Sequence, residues 1–276
     1  MTLSALARQR PLTAFFVLAY AIAWLSWSPL ALSRAGLSLL PVNGALWWTL
    51  PGSYAPLLSA LIVQRLSHGD FRIAQLLPSW KHFCLGLAAG VALIVLGFLV
   101  LPGAWLGEGP LTALSWSALA AYPIATARAL AMAGPLGEEP GWRGFALPKL
   151  QARFPPLAAT LILGVLWAGW HLPLFLVPQW AGSPLWVYML LVMGFCFVIN
   201  LGFNLSRGSV VVAILLHAVF NASSGVLGRL LDGPTLDLSI RPDAVLAAGF
   251  ALIALAIALA WLLRRDPAAA TATRRA

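Results

Sequence analysis

Long apolar runs broken by short polar clusters organise the whole chain. Continuous apolar stretches lie at about 11–33, 45–65, 82–105, 113–137, 157–178, 184–204, 209–230 and 244–263. A helix needs roughly 20 apolar residues to cross a bilayer. The pattern therefore predicts an all-α polytopic membrane protein with about eight transmembrane helices. The first run follows Arg8 and Arg10 and covers 23 residues, longer than the apolar core of a cleaved leader, so it reads as a retained span. The longest connections, about 66–81 and 231–243, are too short for a domain. They carry His68, Asp70, Arg72 and Lys81, and Asp232, Asp237 and Asp243. Residues 1–276 read as one membrane domain, and no internal repeat is visible.

Composition supports that pattern and excludes other classes. Apolar residues make up 61% of the chain and charged residues 9%, against about 45–50% and about 25% in soluble domains. The net charge of +9 does not point to nucleic acid, because the basic residues flank apolar runs and suit lipid headgroups. Cytoplasmic segments of membrane proteins are enriched in Lys and Arg. With the N-terminus inside, 13 basic residues fall on inner segments, and only Arg34, Arg229 and Arg241 fall outside. This predicts cytoplasmic N- and C-termini in a plasma membrane, with the lipid bilayer as surroundings. Cys84 and Cys196 lie in apolar runs and suggest neither a disulfide nor a metal site.

Polar residues inside spans are costly and mark function. Three clusters stand out. The first is Gly137-Glu138-Glu139-Pro140-Gly141-Trp142-Arg143-Gly144, at the inner end of run four. Adjacent helical carboxylates point about 100° apart and take different jobs. Glu139 and Arg143, four apart, can pair on one face, which leaves Glu138 to face a cavity. Pro140 is expected to kink this segment near residue 136. The second is Trp167-Ala168-Gly169-Trp170-His171 in run five. The third is His217-Ala218-Val219-Phe220-Asn221 in run seven, with His217 and Asn221 on one face. The other runs show almost no such residues. If these three helices meet, they form a polar cavity suited to hydrolysis. A buried carboxylate can act as general base to water, and His and Asn can hydrogen-bond a developing oxyanion. Alternatively, Glu138, His171 and His217 could ligate zinc with an open position, although no HExxH is present.

The Glu-Glu-x-x-x-Arg, aromatic-x-x-x-His and His-x-x-x-Asn elements, in this order on three spans, resemble the CPBP family of intramembrane proteases. That family includes type II CAAX prenyl endopeptidases, Abi proteins and lysostaphin resistance protein A-like proteins. The strings GEEPGWRGFALPKL, WHLPLF and HAVFN carry the resemblance, and the motif-bearing core covers about 115–230. The resemblance implies an eight-helix membrane endopeptidase acting on a peptide or membrane-protein substrate, with a cavity opening toward the cytoplasm. It implies Glu138 as water activator, His171 beside the water or metal, and His217 and Asn221 as oxyanion donors. Glu139, Arg143 and Trp167 would support the site, with Trp167 replacing a more usual phenylalanine. A metal-free, glutamate-based mechanism is the favoured expectation, with zinc the alternative. Two other readings compete: a non-catalytic scaffold, immunity or regulatory protein, and a proton-coupled transporter. The full set of catalytic residue types argues against the first, and the absent repeat and off-centre charges argue against the second.

Overall fold

The computed structural model describes residues 2–68, 79–102, 116–132, 134–178, 180, 182–226 and 242–263. Asp70, Arg72, Arg229, Asp232, Asp237, Arg241 and the basic residues after Leu263 lie outside them. The described residues are helices and turns, without a strand. In order they are α1 (Leu3–Gln9), α2 (Pro11–Leu32), α3 (Leu46–Ser67), α4 (Trp80–Val100), α5 (Trp116–Met132), α6 (135–151), α7 (Pro156–Trp170), α8 (Leu185–Leu205), α9 (Val210–Val226) and α10 (Pro242–Leu263). Six helical segments are long and apolar enough to cross a membrane, among them Pro156–Leu176, where α7 runs on through a short 3-10 turn; Val210–Ser224 is a shorter apolar helix. The protein is an all-α polytopic membrane protein. Leu25, Trp80 and Leu263 are 73%, 76% and 81% exposed, and in a bilayer such side chains meet lipid rather than water.

Run four departs from its expected shape. It does not end in the Glu-Glu cluster. Helix α5 stops at Met132, Gly134 turns the chain with φ +91°, and a separate helix begins at Pro135. Glycine accepts that positive φ at little cost, and proline is well placed at the first position of the new helix. The turn at Gly134 lies two residues before the position where Pro140 was expected to kink the segment. After Pro140 the helix loosens into a π turn over Trp142–Ala146 before tightening again at Leu147. Insertions of this kind often mark functional helices.

Small residues let these helices approach closely. A Cβ on Gly137 would strike the Ser53 carbonyl and Tyr54, and one on Gly141 would strike Pro56, so α6 lies directly on α3. Gly86 and Gly202 bring α4 and α8 together in the same way. This close backbone contact replaces hydrophobic collapse as a packing force in lipid.

Hydrogen bonds between helix ends define the two ends of the bundle. Tyr20 and Trp24 of α2 donate to the carbonyls of Leu166 and Trp170, so α2 and α7 run parallel. The starts of α2 and α7 share one end with the close of α3, where Ser67 donates to Ala7 O at 2.9 Å. Gln151 and Asn204, bonded at 3.1 Å, add the ends of α6 and α8 to it. Arg8, Arg10, Arg65, Lys81, Lys149, Arg153 and Arg207 stand at this basic end. The opposite, distal end holds the connection 33–45, the start of α3 and the segment after His171. There Trp27 donates to Thr49 O at 2.8 Å, and Gly36 abuts the Leu176 carbonyl.

Candidate active site

Helix α6 places the two carboxylates on different faces, as their adjacency requires. Glu139 is wholly buried. Arg143, one turn later and also fully buried, donates from Nη1 to both Glu139 oxygens at 3.0 and 3.1 Å. Glu139 Oε1 also accepts from His217 Nδ1 at 2.7 Å. One carboxylate thus ties α6 to α9. Buried charges persist only when paired and hydrogen-bonded, and this set meets that condition. Arg143 Nε donates to Asn200 Oδ1 at 3.0 Å, Asn200 Nδ2 donates to Thr160 Oγ1 at 3.0 Å, and the guanidinium lies 4.3 Å over the Trp167 ring.

Asn200 was not among the expected residues, because α8 was read as almost free of functional polar groups. It brings a fourth helix into the network. The available signal was an amide inside a span, four residues after Cys196, whose Sγ accepts from Arg143 Nη2 at 3.4 Å.

Glu138 faces the other way, into a cavity. It is 4% exposed. Its Oε2 accepts from Trp167 Nε1 at 2.7 Å, while its Oε1 folds back against the bare Cα of Gly134. Any side chain at position 134 would overlap that oxygen. Glu138 also sits in the first turn of α6, where the helix dipole favours negative charge.

His171 follows the last residue of α7. Pro173 disfavours a helical Leu172, and the chain passes into a 3-10 turn there. The His171 Nδ1 lies 2.9 Å from the Trp167 carbonyl, which can only accept, so Nδ1 carries the proton. The ring is boxed by Trp170 and Tyr188 edge-on and by Trp180 and Trp27 in stacked orientation, at centroid distances of 4.7–6.3 Å.

The cavity is about 450 Å³ and brings Glu138, Trp167, His171, His217 and Asn221 to one space, with aromatic walls from Trp27, Trp180, Tyr188 and Phe195. All four expected catalytic residues line it. Glu139 and Arg143 stand behind it as supports. Its lining runs on through Thr49, Gly182 and Ser183, at the distal end of the bundle and away from the basic one. The expectation placed Glu138 at the inner tip of run four, whereas the break at Gly134 begins a new helix well inside the bundle.

A zinc site would need Glu138, His171 and His217 to converge. Among the described residues no three His, Cys, Asp or Glu side chains form a group able to hold a metal ion. Nδ1 of each ring is engaged, by the Trp167 carbonyl and by Glu139, which leaves the two Nε2 atoms without a protein partner.

Residues 120–223 match the model of a family described as Rce1-like, type II CAAX prenyl endopeptidase. The core of this chain is similar to the CPBP family of proteases. A CAAX prenyl protease 2 from Methanococcus maripaludis is 26% identical over 111 residues, which cover 37% of this chain and 41% of that relative. The chain therefore matches less than half of the curated relative's length. Every cavity and network residue from Glu138 to Asn221 lies inside the CPBP-like core.

Proposed function

We propose that this integral membrane protein is an endopeptidase that cleaves a peptide inside the bilayer, with water activated by Glu138. One observation carries the reading. The Glu138 carboxylate is buried and anchored by a single Trp167 N–H, yet it lines a cavity shared with His171, His217 and Asn221.

Glu138 takes a proton as water oxygen attacks the scissile carbonyl. Asn221 and His217, one helical turn apart, donate hydrogen bonds to the oxyanion as it forms, His217 from Nε2 with its ring carrying both protons while Nδ1 stays on Glu139; donors of this kind are each worth about 2.7–4 kcal/mol of barrier. The C–N bond then breaks, and Glu138 returns its proton to the leaving amine. His171, neutral with Nδ1 held by Trp167 O, offers Nε2 to orient the water. The aromatic wall holds the apolar side chains of the substrate. No step passes through a metal.

The test compares new peptide ends in membranes carrying wild-type protein or Glu138→Ala at matched abundance, in a bacterial plasma membrane as the expected setting. Ends that depend on Glu138 support the protease. Identical peptide profiles, with both proteins folded, would favour a non-catalytic membrane protein. Uptake or efflux lost with Glu138, without new ends, would favour a transporter.

A further inference from the structure

Two independent features of the fold point in opposite directions along the membrane normal. Among the described residues outside helix interiors, seven basic side chains (Arg8, Arg10, Arg65, Lys81, Lys149, Arg153 and Arg207) stand at one end of the bundle, and Arg34 stands at the other. Lys and Arg near span ends mark the cytoplasmic side.

The cavity lies toward the poorly charged end. His171 follows the 15 residues of α7, which at 1.5 Å per residue puts it ~22 Å from the helix start at the basic end. The hydrocarbon core is only about 30 Å thick, so His171 is past the midplane. Trp27 lies correspondingly deep in α2 and stacks with His171. From there the cavity wall climbs through Trp180 to Ser183 and the exposed Gly182, in the connection between α7 and α8.

We propose that the cavity opens on the extracytoplasmic side and receives an extended segment of a translocated or membrane-spanning protein from that side. A prenylated C-terminus displayed in the cytoplasm would meet the basic end instead. The proposal rests on the protease reading for what the cavity binds, and on charge placement and helix direction for where it opens.

Single cysteines test the orientation without any need for activity. Gly182→Cys has open space at its Cβ, and Arg153→Cys is exposed at the basic end. Both are made in the full chain carrying Cys84→Ala, with that parent as the blank for buried Cys196. A membrane-impermeant maleimide is added to intact spheroplasts and to lysed membranes. The expected result is that Gly182→Cys labels equally before and after lysis, while Arg153→Cys loses its labelling in intact spheroplasts. The reverse pattern, or labelling of both only after lysis, overturns the proposal. If Gly182→Cys stays unlabelled in both preparations, Arg34→Cys reports the same end: labelling in intact spheroplasts supports the proposal, and labelling only after lysis overturns it. Reversed labelling with Glu138-dependent peptide ends intact would defeat the orientation alone. Expected labelling without such ends would defeat the protease reading alone.

Discussion

The two adjacent carboxylates should fail in opposite ways when removed. Glu139→Ala takes away the acceptor of Arg143 Nη1 and of His217 Nδ1 at once. It leaves a guanidinium with no exposed surface, held only by Asn200, Cys196 and the Trp167 face. Removing one partner of a buried pair costs about 3–5 kcal/mol, since the other charge stays uncompensated. At roughly 2–4 °C per kcal/mol for chains near this size, the melting temperature in detergent should fall by on the order of 10 °C. Glu138→Ala removes one hydrogen bond at a cavity wall, where water can replace it, at a cost of about 1 kcal/mol. It should melt within a few degrees of wild type, by that same conversion, while losing cleavage. Adding Arg143→Met to Glu139→Ala should recover part of the lost stability, because an apolar side chain of similar length replaces the orphaned charge. The assay is thermal unfolding followed by tryptophan fluorescence or loss of the monodisperse peak. Equal melting of the two alanine variants, or a double variant less stable than Glu139→Ala, would refute this division of roles.

Trp167→Phe keeps the ring over Arg143 but removes the N–H that holds Glu138 Oε2; its turnover should drop more than tenfold, with a stability change near 1 kcal/mol, read by cleavage rate against melting. Gly134→Ala forces a methyl against the Glu138 carboxylate at a positive φ, so activity should fall along with about 1–3 kcal/mol of stability; wild-type turnover in this variant would sink the claim that Gly134 positions Glu138. Gly141→Val wedges α6 off Pro56 of α3, and the folded yield in detergent should collapse, whereas the same change at exposed Gly182 should leave it unchanged.

The residues that meet at the cavity were legible in the sequence because helical spacing survives folding. Glu139 to Arg143 and His217 to Asn221 are each four residues apart, and a helix can only place such pairs on one face. The pair at 139 and 143 forms, and Glu138 is left to face the cavity as adjacency demands. Spacing within one helix cannot show a partner on another. Asn200 therefore stayed invisible, although its amide joins Arg143 to Thr160 across three helices. The His217–Glu139 bond was equally hidden. Each motif had been given its own role, yet here two motifs share one carboxylate.

The place of the cavity within the bundle was hidden for a different reason. Hydropathy over 113–137 is continuous, so the run reads as a single span with the Glu-Glu cluster at its inner tip. Apolarity is blind to backbone direction, and Gly134 redirects the chain without adding a polar residue. The Gly134-Pro135 pair was the available signal, since one residue permits a left-handed turn and the next starts a helix cheaply. Once α6 begins there, its register follows from contacts a window average cannot contain. Gly137 must meet Ser53 near the start of α3, and Gln151 must meet Asn204 at the close of α8. Those two contacts run α6 from deep in the bundle toward the basic end. Its first turn, which carries Glu138, is therefore the part farthest from the basic loops. The charge count and the catalytic motif were both read from the same sequence, and only the direction of this one helix decides that they belong to opposite ends.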